Sequence, residues 1–141
     1  MDAGELNEHL ESAIRQLLAE RQQLLVMFCR AAGIAPGPAG EDEKSLLLRL
    51  CQLLMDYAAL WQFEVHDELA REARRSSAGS EMLERVQPIL VETANTMLDF
   101  NDLVDSALAE ESLMDLDSHL SSLGEALAER FEAEDRVILA L

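Results

Sequence analysis

Lysine is almost missing from this chain: Lys44 is the only one in 141 residues, and 11 bases in all stand against 28 acids. A formal net charge of −17 repels phosphate backbones and anionic lipid, which excludes direct nucleic-acid binding and attachment to an acidic membrane surface as working expectations. Aromatic residues make up 4%, β-branched residues are scarce, and there are three prolines and six glycines. That composition argues against a sheet. Only two cysteines occur, Cys29 and Cys51, both in apolar helical stretches and outside any CxxC pair. They read as reduced, buried thiols of a cytosolic protein, with a disulfide as the weaker alternative. No apolar run is long enough to cross a bilayer, since Arg49, Gln52 and Asp56 interrupt the richest one. The first dozen residues are acidic and amphipathic, unlike a signal peptide. There is no GxSxG, no P-loop and no GxGxxG.

What is present is helix-forming. Leu, Ala, Glu and Met dominate, and 49% of the residues are apolar. A chain of this length is the usual size of one domain, and it buries roughly 70% of its extended surface on folding. The expectation is a single helical domain over residues 1–141. The charge is uneven: residues 81–141 carry fifteen acids and three bases, residues 1–80 thirteen and eight. Such a surface either solvates the fold or meets a basic partner.

Three breaks divide the chain into four helical segments. The first runs from about 4 to 32, with Asp2 and Glu5 at N-cap and N3 spacing and apolar residues from Leu6 to Ala32 recurring every three or four positions. Gly33 to Gly40 is a loop rich in Gly and Pro. The second segment, about 42 to 74, is apolar over a wide arc from Leu46 to Ala58, which suggests burial on more than one face. The polar stretch Arg74 to Ser80 ends it. The third, about 80 to 109, takes Ser80 as its N-cap and contains Pro88, where a kink is expected. The fourth, about 112 to 141, starts near Ser112 with Asp115 at N3. Its seam is Leu116, Leu120, Leu123, Leu127, Phe131, Ile138 and Leu141, spaced near the coiled-coil interval. Four rods of roughly 40 Å with short connections predict an all-α, antiparallel up-down four-helix bundle.

Bundles can hold metals or relay phosphate, and the three histidines are the candidates for both roles. A di-metal bundle needs Glu-x-x-His, and His9, His66 and His119 are preceded three residues back by Leu6, Phe63 and Leu116. The pairs Glu5/His9 and Asp115/His119, four apart, read as surface pairs. Phosphotransfer bundles carry a lysine and a glycine soon after the histidine. His119 is followed by Gly124 but no lysine, and His66 by neither. No catalytic residue, cofactor or metal is expected.

One ordered set of residues is distinctive. Arg21 precedes Leu24-Leu25, and Gly33-Ile34 leads to Pro36-Gly37. Cys51-Gln52 is followed by Leu54-Met-Asp-Tyr57 and then Phe63. Gln87-Pro88, Leu98-Asp-Phe-Asn-Asp102, Gly124-Glu-Ala-Leu-Ala-Glu-Arg-Phe131 and Glu134-Asp135 come next. Together, from about Ile14 to the end, these resemble the Rsd/AlgQ family of bacterial regulators of the primary sigma factor. The resemblance implies a four-helix bundle acting as an anti-sigma factor in the cytoplasm. It would bind the C-terminal, promoter-reading domain of the primary sigma factor and block its use by core RNA polymerase.

By the same resemblance the partner-facing surface maps to the first two helices. It makes Asp56 the acidic partner of a sigma arginine and Phe63 the apolar anchor, with Tyr57 and Ala59 as rim contacts. Simpler readings stand beside these: Asp56 only solvates its helix, and Phe63 and Trp61 are core. Arg21 is expected to pair inside the bundle, and Gly124 to mark close helix packing. The chain departs from the family pattern at Arg15-Gln-Leu-Leu18, where an Asp-x-Trp-Leu is usual, and at Trp61-Gln62, where Gly-His usually precedes the phenylalanine. It also has Ala59 where serine is frequent. A monomer is favoured. The alternatives are a helical adaptor for a different regulatory protein and, more weakly, a histidine phosphotransfer or metal-carboxylate bundle.

Overall fold

The apolar periodicity closes into four rods. The computed structural model describes residues 3–34, 40, 42–110 and 115–141, with side chains of the first helix from residue 8 onward. Among the described residues there are five α-helices, one π-helical turn and no strand: α1 Ala3–Ala31, α2 Glu43–Leu60, a π turn Trp61–Val65, α3 His66–Ala73, α4 Ser77–Ala109 and α5 Leu116–Leu139. The segment α2–π turn–α3 is one continuous second rod, which reduces the count to four.

The ends of the rods follow local chemistry. α1 stops where Gly33 adopts φ 75°, a left-handed conformation that costs glycine nothing. Asp42 caps α2 by accepting a hydrogen bond from Ser45 N at 2.8 Å. The third rod begins earlier than Ser80: Ser76 is its N-cap, accepting from Gly79 N at 3.0 Å, and Ser80 lies in the first turn. The polar stretch expected to separate the rods is mostly helix, because Ser76 and Gly79 already supply a capping geometry. A Cβ on Gly79 would sit 2.3 Å from the Ala73 carbonyl oxygen, so α4 can start this close to α3 only with glycine there. α4 runs through Pro88 to Ala109 without interruption. Asp115 is the N-cap of α5 rather than N3, at φ 62° and with no side-chain capping bond. The expected caps at Asp2 and Ser112 lie outside the described residues, and so does the side chain of Glu5.

Cross-rod contacts give the directions. His9 meets Glu68 and Arg21 meets Tyr57, so the second rod runs antiparallel to α1. Ala73 abuts Gly79, Arg130 meets Leu90, and Arg21 reaches Glu134 while Phe28 packs on Gly124. Each neighbouring pair of rods is therefore antiparallel, the up-down arrangement. A Cβ at Gly124 would approach the Phe28 ring to 2.8 Å, the close packing its glycine suggested.

All four rods share one core. α2 is buried along Leu47, Leu50, Cys51, Leu54, Tyr57 and Leu60 because it packs against both α1 and α4, which accounts for its wide apolar arc. Cys29 and Cys51 are free, and burial pushes the Cys51 thiol up to about 11. The α5 seam holds from Leu116 to Phe131 and then changes. Ala133, Glu134 and Val137 are the buried residues beyond it, while Leu141 is 43% exposed. No helix among the described residues is long and apolar enough to cross a membrane.

Candidate functional site

Two polar features stand out, one centred inside the bundle and one on its surface. Inside, Glu134 of α5 is fully buried and collects bonds from three rods. Its Oε1 accepts from the Tyr57 hydroxyl at 2.5 Å and from Arg21 Nη2 at 2.9 Å, and its Oε2 accepts from Arg130 Nε at 3.0 Å. Arg130 also donates to Leu90 O at 2.9 Å and Thr93 Oγ1 at 3.2 Å, and its guanidinium lies 5.4 Å from the Trp61 ring centroid. Arg21 reaches Asp135 at 2.8 Å and stacks over Phe131 at 4.7 Å. Burial raises the Glu134 carboxyl, and Arg130, the Tyr57 hydroxyl and Arg21 oppose it. Burial and the Glu134 charge hold the Tyr57 phenol protonated far above its usual range. Two arginines and two carboxylates balance in charge, so the network closes without a ligand. It pins the four rods in register.

This network settles Arg21, which pairs inside the bundle as expected. It also corrects the reading of Tyr57 as a rim contact. The ring is fully buried, its hydroxyl is committed to Glu134, and it has no surface to offer a partner.

On the surface, the second rod presents a strip. Asp56 and Ala59 are exposed on α2, and Phe63 is 80% exposed in the π turn. Spacings of three and four residues put these on one side over two turns, a reach of about 10 Å. Asp56 accepts one hydrogen bond, from Gln52 Nε2 at 3.1 Å. The π turn explains why Phe63 points outward. The backbone N–H of His66 bonds Trp61 O five residues back, so the turn widens by one residue. Trp61 and Val65 then stay in the core while Gln62, Phe63 and Glu64 bulge into solvent. Of the two aromatics that the sequence left ambiguous, Trp61 is core and Phe63 is surface.

Sequence reasoning missed Glu20. It lies on α1 beside the strip, close enough to Asp56 for the two charges to interact, and its Oε2 is buried without a hydrogen-bond partner. Beyond it, a groove between α1 and α2 is lined by Gln23, Val26, Met27, Arg30, Gln52 and Leu53. No three metal-ligating side chains converge among the described residues. His9 pairs with Glu68 at 2.7 Å, across the rods, while the Glu5 side chain of the expected pair lies outside the described residues. His119 lies beside Thr96, Asp99 and Ser122, with no basic group in its pocket to receive a phosphoryl charge.

Comparison with known proteins places this geometry. The family described as "Regulator of RNA polymerase sigma(70) subunit, Rsd/AlgQ" matches residues 3–141. A "Regulator of sigma D" from Yersinia enterocolitica serotype O:8 is 30% identical over 129 residues, which is 89% of this chain and 77% of that one. One from Yersinia pseudotuberculosis serotype O:1b is 30% identical over 133 residues, covering 89% and 76%, and one from Enterobacter sp. strain 638 is 29% identical over 121, covering 84% and 73%. No solved structure gives a significant match.

Proposed function

We propose that this chain, which belongs to the Rsd/AlgQ family of regulators of the RNA polymerase sigma(70) subunit, binds the primary sigma factor and withholds it from core polymerase. The family is regulatory, not enzymatic. The finer reading is that the contact is made with the C-terminal, promoter-reading domain of sigma, by a monomer acting in the cytoplasm. A promoter-reading helix-turn-helix presents a basic face to DNA phosphates. A bundle of net charge −17 complements that face and speeds encounter. Charge alone gives rate and orientation, and apolar contact gives most of the affinity.

The observation that carries this reading is Phe63. It is a large aromatic side chain 80% exposed, held out by the π turn beside Asp56 and Ala59, where it is available as an apolar anchor for a partner. Asp56 then meets a sigma arginine, Phe63 fills an apolar recess, and Ala59 between them leaves room for close approach. Tyr57 supports the strip from beneath through its bond to Glu134.

The test is calorimetric titration with the isolated C-terminal domain of sigma at low and raised salt. Binding that weakens as salt rises, and weakens at least about tenfold in Asp56→Arg with unchanged helicity, supports the reading. No heat of binding at low salt overturns it. Capture of a different regulatory protein by the same strip, with sigma ignored, would make the chain a binding module for that protein instead.

A further inference from the structure

Among the 11 bases of this acidic chain, only Arg21, Arg30 and Arg130 are drawn even partly out of solvent. Arg21 and Arg130 both answer Glu134, at 2.9 and 3.0 Å. Arg30 has no acid to answer among the described residues. It lines the groove between α1 and α2, about 420 Å³ in volume, together with Arg49 of α2. Val26, Met27 and Leu53 form the apolar wall, glutamines the remainder, and no lining residue is acidic. Acids outnumber bases 28 to 11 over the chain, so the charge of the molecule is reversed in this groove. The groove also runs into the Asp56 strip, because Gln52 lines it and donates to Asp56 Oδ1 at 3.1 Å. Arg49, Gln52, Asp56, Ala59 and Phe63 are all exposed, and steps of three and four residues align them along one side of the second rod. That side is cationic at Arg49 and anionic at Asp56, seven residues or about 10 Å away.

We propose that the groove receives an amphipathic helix of the sigma domain, apolar side inward, with a carboxylate that pairs with Arg30 and Arg49. This rests on the sigma-binding reading and names the partner chemistry next to the strip. A helix laid along the second rod buries its apolar row against Val26, Met27 and Leu53. The guanidinium forks offer paired donors to a carboxylate. Two turns along the same partner helix, about 10 Å, stands the arginine that meets Asp56. The partner is then selected by an acid and a base in fixed order, not by overall charge. A purely structural Arg30 acts in the last turn of α1, where a cation favours the helix dipole. Its loss would lower stability and leave affinity alone.

The sign of the change in affinity is decisive. The promoter-reading face of sigma is basic, so negative charge added elsewhere on the bundle keeps or raises affinity. Arg30→Glu and Val26→Glu add it inside the groove, and Arg85→Glu adds it on the exposed surface of α4. Calorimetric titration with the isolated sigma domain at low salt is paired with thermal melting of each variant. A seated helix predicts about tenfold weaker binding in both groove variants and equal or tighter binding in Arg85→Glu. Should Arg30→Glu fail to fold, Arg30→Gln and Val26→Glu decide by the same criterion. Groove variants that bind as well as wild type, or that weaken no more than Arg85→Glu, overturn the groove's role and leave the sigma reading standing. A dimer of the free chain that Arg30→Glu abolishes, with sigma affinity unchanged, gives the groove to a second copy instead. Absence of wild-type binding overturns the sigma reading and the seated helix built on it.

Discussion

Replacing Glu134 by glutamine removes the charge on which one buried and one partly buried arginine converge. In the native bundle Glu134 is fully buried, pairs with Arg21 at 2.9 Å and Arg130 at 3.0 Å, and accepts the Tyr57 hydroxyl at 2.5 Å. Removing one member of a buried ion pair costs about 3–5 kcal/mol, because the partner charge is left uncompensated. Two features soften the loss here. Arg21 keeps Asp135, and Arg130 keeps Leu90 O and Thr93 Oγ1. The cost therefore falls near the lower end, about 3 kcal/mol. At this chain length that lowers the melting temperature by about 10 °C. Thermal unfolding followed by circular dichroism reads it, with Glu132→Gln as the control. Glu132 bonds Arg136 at 2.6 Å on the exposed face of the same helix, and such a pair is worth only about 0.3–0.5 kcal/mol. If Glu134→Gln melts within about 3 °C of wild type, the network does not hold the rods together.

Two further perturbations follow from the same geometry. Gly79→Ala drives a methyl group to within 2.3 Å of the Ala73 carbonyl oxygen, a backbone atom that cannot step aside, and is expected to cost about 2–3 kcal/mol despite alanine's better helix propensity. Chemical denaturation checks it, and a stabilised variant would show that α4 starts elsewhere. His9, hydrogen-bonded to Glu68, has its pKa raised above the ordinary histidine range by that bond and by the Glu68 charge. A raised value in the folded state means that the tie between α1 and α3 is fully present below the unfolded value and is lost as pH rises through the folded one. The His9 ring protons, titrated by NMR, should show the elevated midpoint and return toward the ordinary value in Glu68→Gln.

Much of the architecture was legible because it rests on periodicity. Runs such as Leu47, Leu50, Leu54 and Leu83, Val86, Leu90 place a core face on each rod, and Gly33 ends the first. The π turn was not legible: Trp61 and Phe63 stand two apart, and helical spacing alone does not say which turns inward. Only the five-residue hydrogen bond at His66 decides it. Arginine and glutamate are almost never fully buried unless paired, so nothing in their residue type marks Arg130 and Glu134 as core. The usable signal was a gap: Glu134 occupies the step of the apolar seam between Phe131 and Ile138, and Arg130 stands four residues before it. Of the candidate surface, Asp56, Ala59 and Phe63 share an exposed side. Tyr57 does not, because one residue along a helix is a turn of about 100° and carries it into the core. Glu20 carried no signal, since a missing partner has no sequence pattern.

The central claim is that one face, made by α1 and the second rod, receives sigma. Amide chemical-shift mapping of the labelled chain, titrated with the unlabelled C-terminal domain of the primary sigma factor, tests it most directly. The account predicts perturbations concentrated at residues 16–30 and 49–63. Perturbations centred instead on the outer side of α4, around Glu84, Pro88 and Val91, or none at all, would contradict it.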